Sequence, residues 1–361
     1  MIVDIEKKNL RILVTGGAGF IGSCLVRRLL NTCKAKVFNI DKLSYASDLT
    51  SIQKSTNAEK HFLMQVNLNN YEKTFSAVKE ADPDIIFHLA AESHVDRSIE
   101  NSKPFLESNI IGTFNILEST RKHWENMKLS RREKFKFLHV STDEVFGSLD
   151  LKGKFSEKTA YDPRSPYSAT KAASDHLCNA WFHTYNLPIV RTNCSNNYGP
   201  YQFPEKLIPL IIIKALRKDE IPIYGDGKNI RDWLFVEDHI DALLLAMQKG
   251  KIGSNYCIGG NNEKTNIEIA TSICKLLDKK LPSNESYENL IKFVKDRPGH
   301  DKRYAIDSSL ITRELGWKAK NTFEAGLVKT IEWYLNNQSW YENIQKKAGY
   351  KGARIGLNQN S

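Results

Sequence analysis

The sequence predicts an α/β protein built on a doubly wound parallel sheet, with a smaller, mixed α/β lobe beside it. Two observations lead to this prediction. Short apolar runs alternate with longer segments of helical periodicity through the first half of the chain, and a glycine-rich stretch, TGGAGFIG at 15–22, follows the first run. Because helices cover both faces of a parallel sheet, its strands are apolar along their whole length.

Five apolar runs predict the first strands of the sheet. They are RILVTGG at 11–17, KVFNID at 36–41, HFLMQV at 61–66, DIIFHLA at 84–90 and FKFLHVST at 135–142. Two later runs, IVRTN at 189–193 and NYCIGG at 255–260, are expected to return to the same sheet. The segments between the early runs have apolar residues at helical spacing, and we expect them to form the covering helices.

The composition changes after about residue 196, where prolines and polar turns such as GDGKN at 225–229 indicate loops and short elements. Because a strand of the main sheet is predicted after this region, the second lobe must be assembled from more than one segment. The predicted division is a sheet domain of residues 1–195 and 229–258, and a lobe of residues 196–228 and 259–361.

The overall composition is that of an ordinary globular protein. Of 361 residues, 41% are hydrophobic and 26% are charged, which suits about two domains. The net charge of +10 admits anionic partners such as phosphorylated small molecules. The lysines are spread along the chain without a basic helix or an aromatic platform, so nucleic acid is not an expected partner.

No membrane or secretory segment is expected. The most apolar stretch, LIPLIIIKAL at 207–216, is interrupted by Pro209 and Lys214 and falls short of the ~18 apolar residues that span a bilayer. The N-terminus has acidic residues and no apolar run before a cleavage site, which predicts a cytoplasmic protein. Six scattered cysteines without a C-x-x-C pair predict reduced, buried thiols and no metal site.

The glycine-rich stretch has the spacing of a dinucleotide-binding turn at Gly16, Gly19 and Gly22, and Gly-x-Gly-x-x-Gly begins one residue later. Glycine lets backbone amides approach a pyrophosphate, and the following helix presents its positive N-terminal end. Asp41 ends the second strand, at the offset of a ribose-binding carboxylate. Because a carboxylate repels a 2′-phosphate, we predict a Rossmann-like domain that binds NAD rather than NADP. Lys42, directly after Asp41, is the one residue here whose charge could instead attract a 2′-phosphate. A purely structural turn is the alternative.

A tyrosine and a lysine share one face of a predicted helix. The stretch PRSPYSATKAASDHL at 163–177 begins the helix at Ser165 and Pro166, which are good cap and first-turn residues. Tyr167 and Lys171 follow, four residues apart. A nearby ammonium lowers the pKa of a phenol, so Tyr167 is a candidate base for removing a hydroxyl proton during hydride transfer. A surface tyrosine beside a solvated lysine is the alternative.

Two adjacent carboxylates come directly after a strand that is predicted to be buried. STDEVFG at 141–147 contains Thr142, Asp143 and Glu144. Carboxylates are costly to bury unless they are paired or used. Burial and like-charge coupling can separate the pKa values of adjacent carboxyls, so that one is protonated while its neighbour is ionised. We therefore predict an acid–base pair; a strand end that faces solvent is the alternative.

Together these motifs resemble the extended short-chain dehydrogenase/reductase family, through TGGAGFIG, HLAAESHVD and YSATK, and within it the 4,6-dehydratases of nucleotide sugars. The similarity runs from about residue 10 to about residue 335 and includes RTNCSNNYGPYQFPEKLIPL at 191–210, GDGKNIRDWLFVEDH at 225–239 and DRPGHDKRYAID at 296–307. It implies NAD as cofactor, dTDP-glucose as substrate, a role in deoxysugar biosynthesis such as that of rhamnose, and a homodimer built on the helices at 104–122 and 166–185.

The resemblance also implies a role for each catalytic residue. During oxidation of the C4 hydroxyl by NAD, Tyr167 acts as base with Lys171 as its partner, and Thr142 hydrogen bonds the C4 oxygen. Glu144 then removes the C5 proton, and Asp143 protonates the departing C6 hydroxyl before hydride returns to C6. Related epimerases lack the acidic pair, and decarboxylases and GDP-mannose dehydratases resemble this scaffold with Ser-Glu. The pair therefore favours the dTDP-glucose type.

Further site residues follow from the resemblance alone. The implied cofactor-binding residues are Gly16, Gly19, Phe20, Ile21, Gly22, Asp41, Lys42, Leu43, Ser44, Asn67, Leu68, Ala90, Ala91, Glu92, Ser93, Ser108, Tyr167, Lys171 and Asn197. The implied substrate-binding residues are His94, Thr142, Asn196, Lys206, Leu207, Pro222, Ile223, Tyr224, Arg231, Asn266, Asp296, Arg297, Pro298, Gly299 and His300.

Three positions depart from the family's usual pattern. Phe146 replaces a tyrosine near the site, and Ser108 replaces a threonine but keeps a hydroxyl. Asn67 stands where the family usually has an aspartate near the adenine, and we expect it to weaken cofactor binding without abolishing it.

Two alternatives remain open. One is a UDP-sugar 4-epimerase or decarboxylase of the same family. The other is a non-catalytic NAD-binding or nucleic-acid-associated protein that kept the scaffold. A scaffold without activity is expected to have lost one of Tyr167, Lys171, Asp143 or Glu144, and all four are present.

Overall fold

The computed structural model describes residues 10–350. Its strands are β1 (Arg11–Thr15), β2 (Lys36–Asp41), β3 (His61–Gln65), β4 (Ile85–His88), β5 (Lys136–Thr142), β6 (Ile189–Cys194), β7 (Asn196–Tyr198), β8 (Ile221–Tyr224), β9 (Ile230–Phe235), β10 (Asn255–Ile258), β11 (Glu263–Thr265) and β12 (Ile291–Val294). Seven of them form one sheet in the order β10-β6-β5-β4-β1-β2-β3, and every pairing in it is parallel. The predicted doubly wound sheet is therefore confirmed, including the late return of β6 and β10.

The helices lie between and after the strands. They are α1 (Phe20–Thr32), α2 (Thr50–Gln53), α3 (Tyr71–Ala81), α4 (Val95–Glu100), α5 (Lys103–Phe105), α6 (Gly112–Glu125), α7 (Leu129–Arg132), α8 (Pro166–Tyr185), α9 (Leu207–Leu216), α10 (Val236–Lys249), α11 (Asn266–Lys280), α12 (Ser309–Leu315), α13 (Phe323–Asn336) and α14 (Gln338–Ala348). A π-helical segment, Leu106–Ile111, joins α5 to α6, and short 3₁₀ turns cover Ala58–Lys60, Asp143–Phe146 and Tyr287–Leu290.

Strand β1 lies at the centre of the sheet and positions the site. It pairs with β2 on one side and with β4 on the other, so the direction of winding reverses between β1 and β4. Ligands of doubly wound sheets bind beyond the carboxyl ends of the strands at such a reversal. The loops after β1, β4 and β5 meet at this edge, and they carry the glycine turn, the AAES stretch and the acidic pair.

Both faces of the sheet are buried, as the apolar runs predict. Leu13 and Val14, consecutive residues of β1, belong to different hydrophobic clusters on opposite faces. One cluster includes Leu29 of α1 and Leu243 of α10, and the other includes Ile116 of α6. Each face therefore has its own helical layer.

The second lobe has two small sheets and its own core. One sheet has the order β11-β9-β7 and the other pairs β12 with β8. Strand β9 thus pairs within the lobe, whereas the predicted division assigns residues 229–258 to the main sheet domain. Its Leu234 nevertheless packs in the hydrophobic cluster of the main sheet, together with residues of α10 and β10. The exact division of the chain between the two domains stays a prediction. Within residues 10–350, no helix is long and apolar enough to cross a bilayer.

Candidate active site

The glycine turn after β1 has the geometry that dinucleotide binding requires. Gly16 has φ +73°, and a Cβ there would lie 2.7 Å from the Cα of Ala90. A Cβ on Gly22 would lie 2.1 Å from the carbonyl oxygen of Gly16, so the start of α1 packs directly against the turn. Gly19 is the N-cap of α1 and makes no side-chain cap. The N-terminal amides of α1 are therefore free of side-chain caps and face the site.

Asp41 is held beside this turn by hydrogen bonds from the turn and from the loop after β2. Its Oδ2 accepts a hydrogen bond from the amide of Ala18 over 3.0 Å, and its Oδ1 accepts from the amide of Leu43 and the hydroxyl of Ser47. The carboxylate is thus preorganised near the pyrophosphate turn. Lys42, which the sequence leaves as a possible partner of a 2′-phosphate, instead pairs with Glu92.

One cavity collects nearly all of the implied cofactor residues. Of the nineteen, all but Leu43 line it; Leu43, at φ +56°, contributes its amide to Asp41 instead. The same cavity is lined by Thr142, Glu144, Asn196, Lys206 and Leu207 from the catalytic and substrate sets. It also has walls that sequence reasoning missed, namely Ile40, Tyr45, Ala46, Ser47, Val66, Leu89, Val140, Ser141, Cys194, Ser195, Gln202, Phe203, Glu205, Ile208 and Trp233.

Tyr167 and Lys171 are placed by the first turns of α8. Ser165 caps the helix in a capping box with Ser168, and Pro166 occupies the first turn, as predicted. Tyr167 is 8% exposed and Lys171 is 4% exposed, and both line the cavity. The interpretation of a surface tyrosine beside a solvated lysine is therefore wrong.

The expected lowering of the Tyr167 pKa is not produced by the chain's own residues. Burial, and after it the charge of Glu144, raises the pKa of Tyr167 well above its ordinary value, and a hydrogen bond to Thr142 opposes the rise only in part. Lys171 directs its ammonium to the carbonyl oxygen of Val140 over 2.9 Å. The charge of Lys171 does not outweigh burial, so the positive charge of a bound oxidised nicotinamide would have to add to it to favour the phenolate.

The acidic pair lies on the 3₁₀ turn that follows β5. Asp143 is 1% exposed; its Oδ1 accepts a hydrogen bond from the Thr142 hydroxyl over 3.3 Å, and its Oδ2 is buried without a partner in the described residues. Burial, followed by the charges of Glu144 and Asp232, raises the pKa of Asp143 well above its ordinary value. The alternative of a solvent-facing strand end is therefore wrong for Asp143.

Glu144 has a different electrostatic environment. Burial raises its pKa as well, but three positive side chains oppose the rise. They are Arg297, Lys206 and Arg231. The adjacent carboxyls thus differ in the way that acid–base chemistry needs, because Asp143 is biased towards the protonated form and Glu144 lies near cations that favour the ionised form.

The remaining implied substrate residues surround the cavity rather than line it. Arg231 is buried, donates to the carbonyl oxygen of Asp301 over 3.0 Å and stacks on the ring of Tyr304. Arg297 donates to Asp96 over 2.9 Å, and Asp96 also accepts from the hydroxyl of Tyr224.

Two histidines of this set form hydrogen bonds within the protein. Nε2 of His94 lies 3.4 Å from the carbonyl oxygen of Glu205, and Nδ1 of His300 lies 2.7 Å from a carboxylate oxygen of Asp296. Ile223 is fully buried in the lobe core and does not line the cavity. Pro222, Asn266, Pro298 and Gly299 do not line the cavity as the structure stands.

Phe146, the departure next to the acidic pair, lies in a hydrophobic cluster. It is 4% exposed, and its ring contacts the rings of Phe155 and Tyr161, each with centroids 5.3 Å away. It does not line the cavity. The hydroxyl that this departure removes is therefore missing from the cluster and not from the cavity wall.

Three features define an NAD-dependent enzyme of the extended short-chain dehydrogenase/reductase class. They are the dinucleotide-binding turn where the sheet reverses, the Tyr–Lys pair on α8, and the adjacent carboxyls of Asp143 and Glu144. The family model described as GDP-mannose 4,6 dehydratase matches residues 13–330. The chain belongs to this family.

Individual relatives are similar over nearly the full length. A probable dTDP-glucose 4,6-dehydratase of Sinorhizobium fredii is 51% identical, over 96% of this chain and 99% of its own. A dTDP-glucose 4,6-dehydratase of Shigella flexneri is 50% identical over 93% of this chain and 96% of its own.

Solved structures agree with the fold and with the cofactor. That of dTDP-glucose 4,6-dehydratase from Bacillus anthracis in complex with NAD has a TM-score of 0.81 at 42% identity, covering 93% of this chain and 99% of its own. That of the Streptomyces venezuelae enzyme with NAD and dTDP bound has a TM-score of 0.84 at 38% identity, covering 93% and 100%. A UDP-glucose 4-epimerase of Thermotoga maritima is more distant, at 26% identity and a TM-score of 0.79 over 91% of this chain and 99% of its own.

Proposed function

We propose that the chain is a hydro-lyase that converts dTDP-glucose to dTDP-4-keto-6-deoxyglucose and water. The observation that carries this proposal is the environment of the adjacent carboxyls: Asp143 is buried, and Glu144 is half-buried and lines the same cavity as Tyr167 and Lys171. An epimerase needs a base for the C4 hydroxyl but no acid for a leaving hydroxyl. The relatives at about half identity are named for this dehydration.

NAD, when bound, accepts a hydride from C4 of the sugar and returns it to C6. The residues that would hold it are on the glycine turn, with Asp41 for the adenosine ribose and the amides of α1 for the pyrophosphate. The geometry fits the group, because Gly16, Gly19, Gly22 and Asp41 line one cavity, and α1 begins there without a side-chain cap.

Tyr167 begins the reaction as a base. It takes the proton of the C4 hydroxyl while Lys171, buried one turn further along α8, supplies a positive charge that favours the phenolate. Thr142 lies at the carboxyl end of β5 and holds the C4 oxygen through its hydroxyl. The resulting ketone acidifies the hydrogen on C5.

The acidic pair then carries out the elimination. Glu144, whose ionised form the nearby cations favour, takes the proton from C5, and Asp143, whose protonated form burial favours, gives its proton to the C6 hydroxyl. The C5–C6 double bond forms and water leaves. A proton returned to C5 and a hydride returned to C6 complete the reaction, so no net reductant is consumed.

The lobe provides the site for the nucleotide diphosphate. Arg231 and Arg297 can offer guanidinium groups to its oxygens, and Lys206 adds a half-buried side chain whose ammonium donates to the carbonyl oxygen of Ser93. His94, Asn196, Leu207, Tyr224, Asn266 and the segment Asp296–His300 complete the proposed set by the resemblance. These assignments are part of the proposal.

We also propose that the enzyme is a homodimer joined through the helical layer of α5, α6 and α8. Large apolar side chains are exposed on this layer at Leu106, Ile111 and Phe114, with Tyr185 at the end of α8. Analytical ultracentrifugation is expected to give a dimer for the native chain and a shift towards monomer for Ile111→Glu. A native chain that sediments as a monomer would contradict the proposed homodimer.

Location of the protein in the cytoplasm stays a prediction.

The test of the function is incubation of the purified protein with dTDP-glucose, without and with added NAD, followed by mass spectrometry of the sugar nucleotide. We expect loss of one water with no net formation of reduced cofactor. Conversion of UDP or GDP sugars to epimers, or release of carbon dioxide, with dTDP-glucose unchanged, would overturn the proposal in favour of an epimerase or decarboxylase.

A further inference from the structure

A buried carboxylate that the proposed reaction does not use lies behind Lys171. Asp175 is fully buried on α8, one turn after Lys171. Its Oδ2 accepts hydrogen bonds from the hydroxyl of Ser141 over 2.7 Å and from the hydroxyl of Tyr161 over 2.9 Å. Nδ2 of Asn193 lies 3.3 Å from the same oxygen. Several donors from three parts of the chain therefore converge on one carboxylate.

The other oxygen of this carboxylate faces a histidine. Nε2 of His139 lies 3.0 Å from Oδ1 of Asp175, and the ring is fully buried. Burial lowers the pKa of His139 to about 4, so the ring is neutral near neutral pH and its Nε2–H donates to the carboxylate. Burial acts to raise the pKa of Asp175, but the hydrogen bond of His139 and the other donors outweigh it, and the pKa lies below its ordinary value. Asp175 is therefore ionised.

The negative charge of Asp175 can stabilise the ammonium of Lys171. Side chains four residues apart share one face of a helix, and both of these side chains are buried. Burial lowers the pKa of Lys171, and Asp175 is the largest of the charges that oppose the change. The other titratable groups that act on Lys171 and Asp175 are Cys178 on α8, Cys194 and Arg191 on β6, His139 on β5, His88 on β4 and Tyr161 before α8. None of these other groups is a carboxylate, so among them Asp175 supplies the counter-charge for Lys171.

We propose that Asp175 is a positioning residue for the redox step: its carboxylate keeps the ammonium of Lys171 charged and holds the end of β5 that carries Thr142. Asn193 links the two effects, because its Nδ2 contacts Asp175 and also donates to the carbonyl oxygen of Thr142 over 2.9 Å. The inference rests on the proposed function, since it assumes that Tyr167 and Lys171 act on a bound sugar.

The proposal has a specific consequence for pH dependence. A charged Lys171 favours the Tyr167 phenolate, and activity fails at alkaline pH where Lys171 loses its proton. Asp175→Asn removes the negative charge while keeping the size of the side chain, so Lys171 loses its proton at lower pH. We expect the alkaline limb of hydride transfer to move down by about one pH unit. The acid limb, which reports Tyr167 while Lys171 is charged, is expected to stay within a few tenths of a unit.

The test is rapid mixing of holoenzyme with dTDP-glucose across the pH range, followed by the transient absorbance of reduced nicotinamide. Asp175→Glu keeps the charge and is expected to restore the alkaline limb. Tyr161→Phe is the matched control, because it removes one hydrogen bond to the Asp175 carboxylate and leaves the charge of that carboxylate in place. The alkaline limb of its pH profile is expected to match that of the native enzyme. If Asp175→Asn is slower at every pH without a shifted limb, Asp175 is only part of the core and the proposal is overturned.

A second measurement does not depend on activity. Thermal unfolding of Asp175→Asn, Lys171→Met and the double variant forms a double-mutant cycle. We expect Lys171→Met to reduce the cost of Asp175→Asn, or to recover folding if that variant does not fold, because no buried cation is then left without its counter-charge. Additive effects would overturn the inference. A native chain that shows this coupling but leaves dTDP-glucose unchanged would overturn the proposed function alone.

Discussion

The ammonium of Lys42 lies between the carboxylate of Glu92, 2.5 Å away, and the hydroxyl of Ser108, 2.9 Å away. Lys42 directly follows the ribose-binding candidate Asp41, where a free lysine could bind the 2′-phosphate of NADP. In this structure the cation already has an anionic partner. We therefore expect Glu92, through this ion pair, to contribute to the choice of NAD over NADP.

Glu92→Gln is expected to release Lys42 and relax this choice. Because the ion pair is partly exposed, the effect is modest, and we expect the affinity for NADP relative to NAD to rise by up to about fivefold. Calorimetric titration of the protein stripped of cofactor with each dinucleotide measures the ratio. Lys42→Met in the same background is the control and should abolish the gain; an unchanged ratio in Glu92→Gln would contradict the assignment.

Glu144→Gln and Asp143→Asn are expected to lower the rate of dehydration by about 10²–10³-fold each, since each removes one proton-transfer group. Reduced nicotinamide should still form transiently in both variants, because oxidation at C4 depends on Tyr167. Mass spectrometry of the product and absorbance of the cofactor measure the two steps separately. Glu133→Gln, at an exposed position, is the control. Full dehydration by either site variant would rule out the proposed division of roles.

Asp143 is also expected to limit stability at neutral pH. Its pKa is raised in the folded protein, so the folded state retains a proton that the unfolded state releases, and stability falls as pH rises from the ordinary aspartate pKa towards the raised one. Asparagine cannot ionise and escapes this loss. The midpoint temperature of thermal unfolding should therefore be higher for Asp143→Asn than for the native chain at about pH 8. The two midpoints should be equal at about pH 4. Asp150→Asn, in an exposed loop, should follow the native curve; equal midpoints at both pH values for Asp143→Asn would refute the linkage.

Arg297→Met is expected to weaken binding of dTDP by about 10- to 100-fold, because a charge-assisted hydrogen bond to the diphosphate is lost. Retention of NAD should not change, since Arg297 does not line the cofactor cavity. Calorimetry with dTDP at two salt concentrations measures both the loss and a weaker salt dependence. Arg313→Met, at an exposed position, controls for net charge. Native affinity in Arg297→Met would remove this residue from the proposed diphosphate site.

Asn67→Asp is expected to strengthen retention of NAD by about three- to tenfold, because an ionised acceptor forms stronger hydrogen bonds to the adenosine than an amide oxygen does. Asn67 lines the cavity and its Oδ1 accepts the amide of Asn69 over 3.1 Å, a bond that an aspartate can also make. The NAD content of protein purified without added cofactor gives the comparison. Asn101→Asp, outside the cavity, is the matched control. If the native chain retains NAD as fully as Asn67→Asp does, this departure has no effect on the cofactor.

The main sheet could be predicted because its signal is local. Each strand is a short apolar run, and each run that was predicted to join the sheet does so. Strand β9 could not be assigned in the same way. Its sequence, IRDWLF, is as apolar as the strands of the main sheet, yet it pairs with β7 and β11. Pairing between distant segments decides its place, and residue type within the strand does not encode that pairing.

Features of the site that depend on a local motif could be predicted from the sequence. Features that depend on burial among distant segments could not. The cap at Ser165 and the turn at Gly16 follow from residue types. The raised pKa of Tyr167 does not, because it results from burial by walls that come from many segments. The location of Phe146 in a cluster with Phe155 likewise depends on a contact between separate loops.

The order of the strands has a consequence for synthesis of the chain on the ribosome. Strands β1 to β5, which end at Thr142, already form five adjacent strands of the seven-stranded sheet, and β6 and β10 are later added one after the other to its open edge. The glycine turn and Asp41 therefore leave the ribosome long before Arg231 and Arg297. Because a ligand that binds only the folded form stabilises it, we expect NAD to act on the nascent protein as a folding aid, well before the sugar nucleotide can bind.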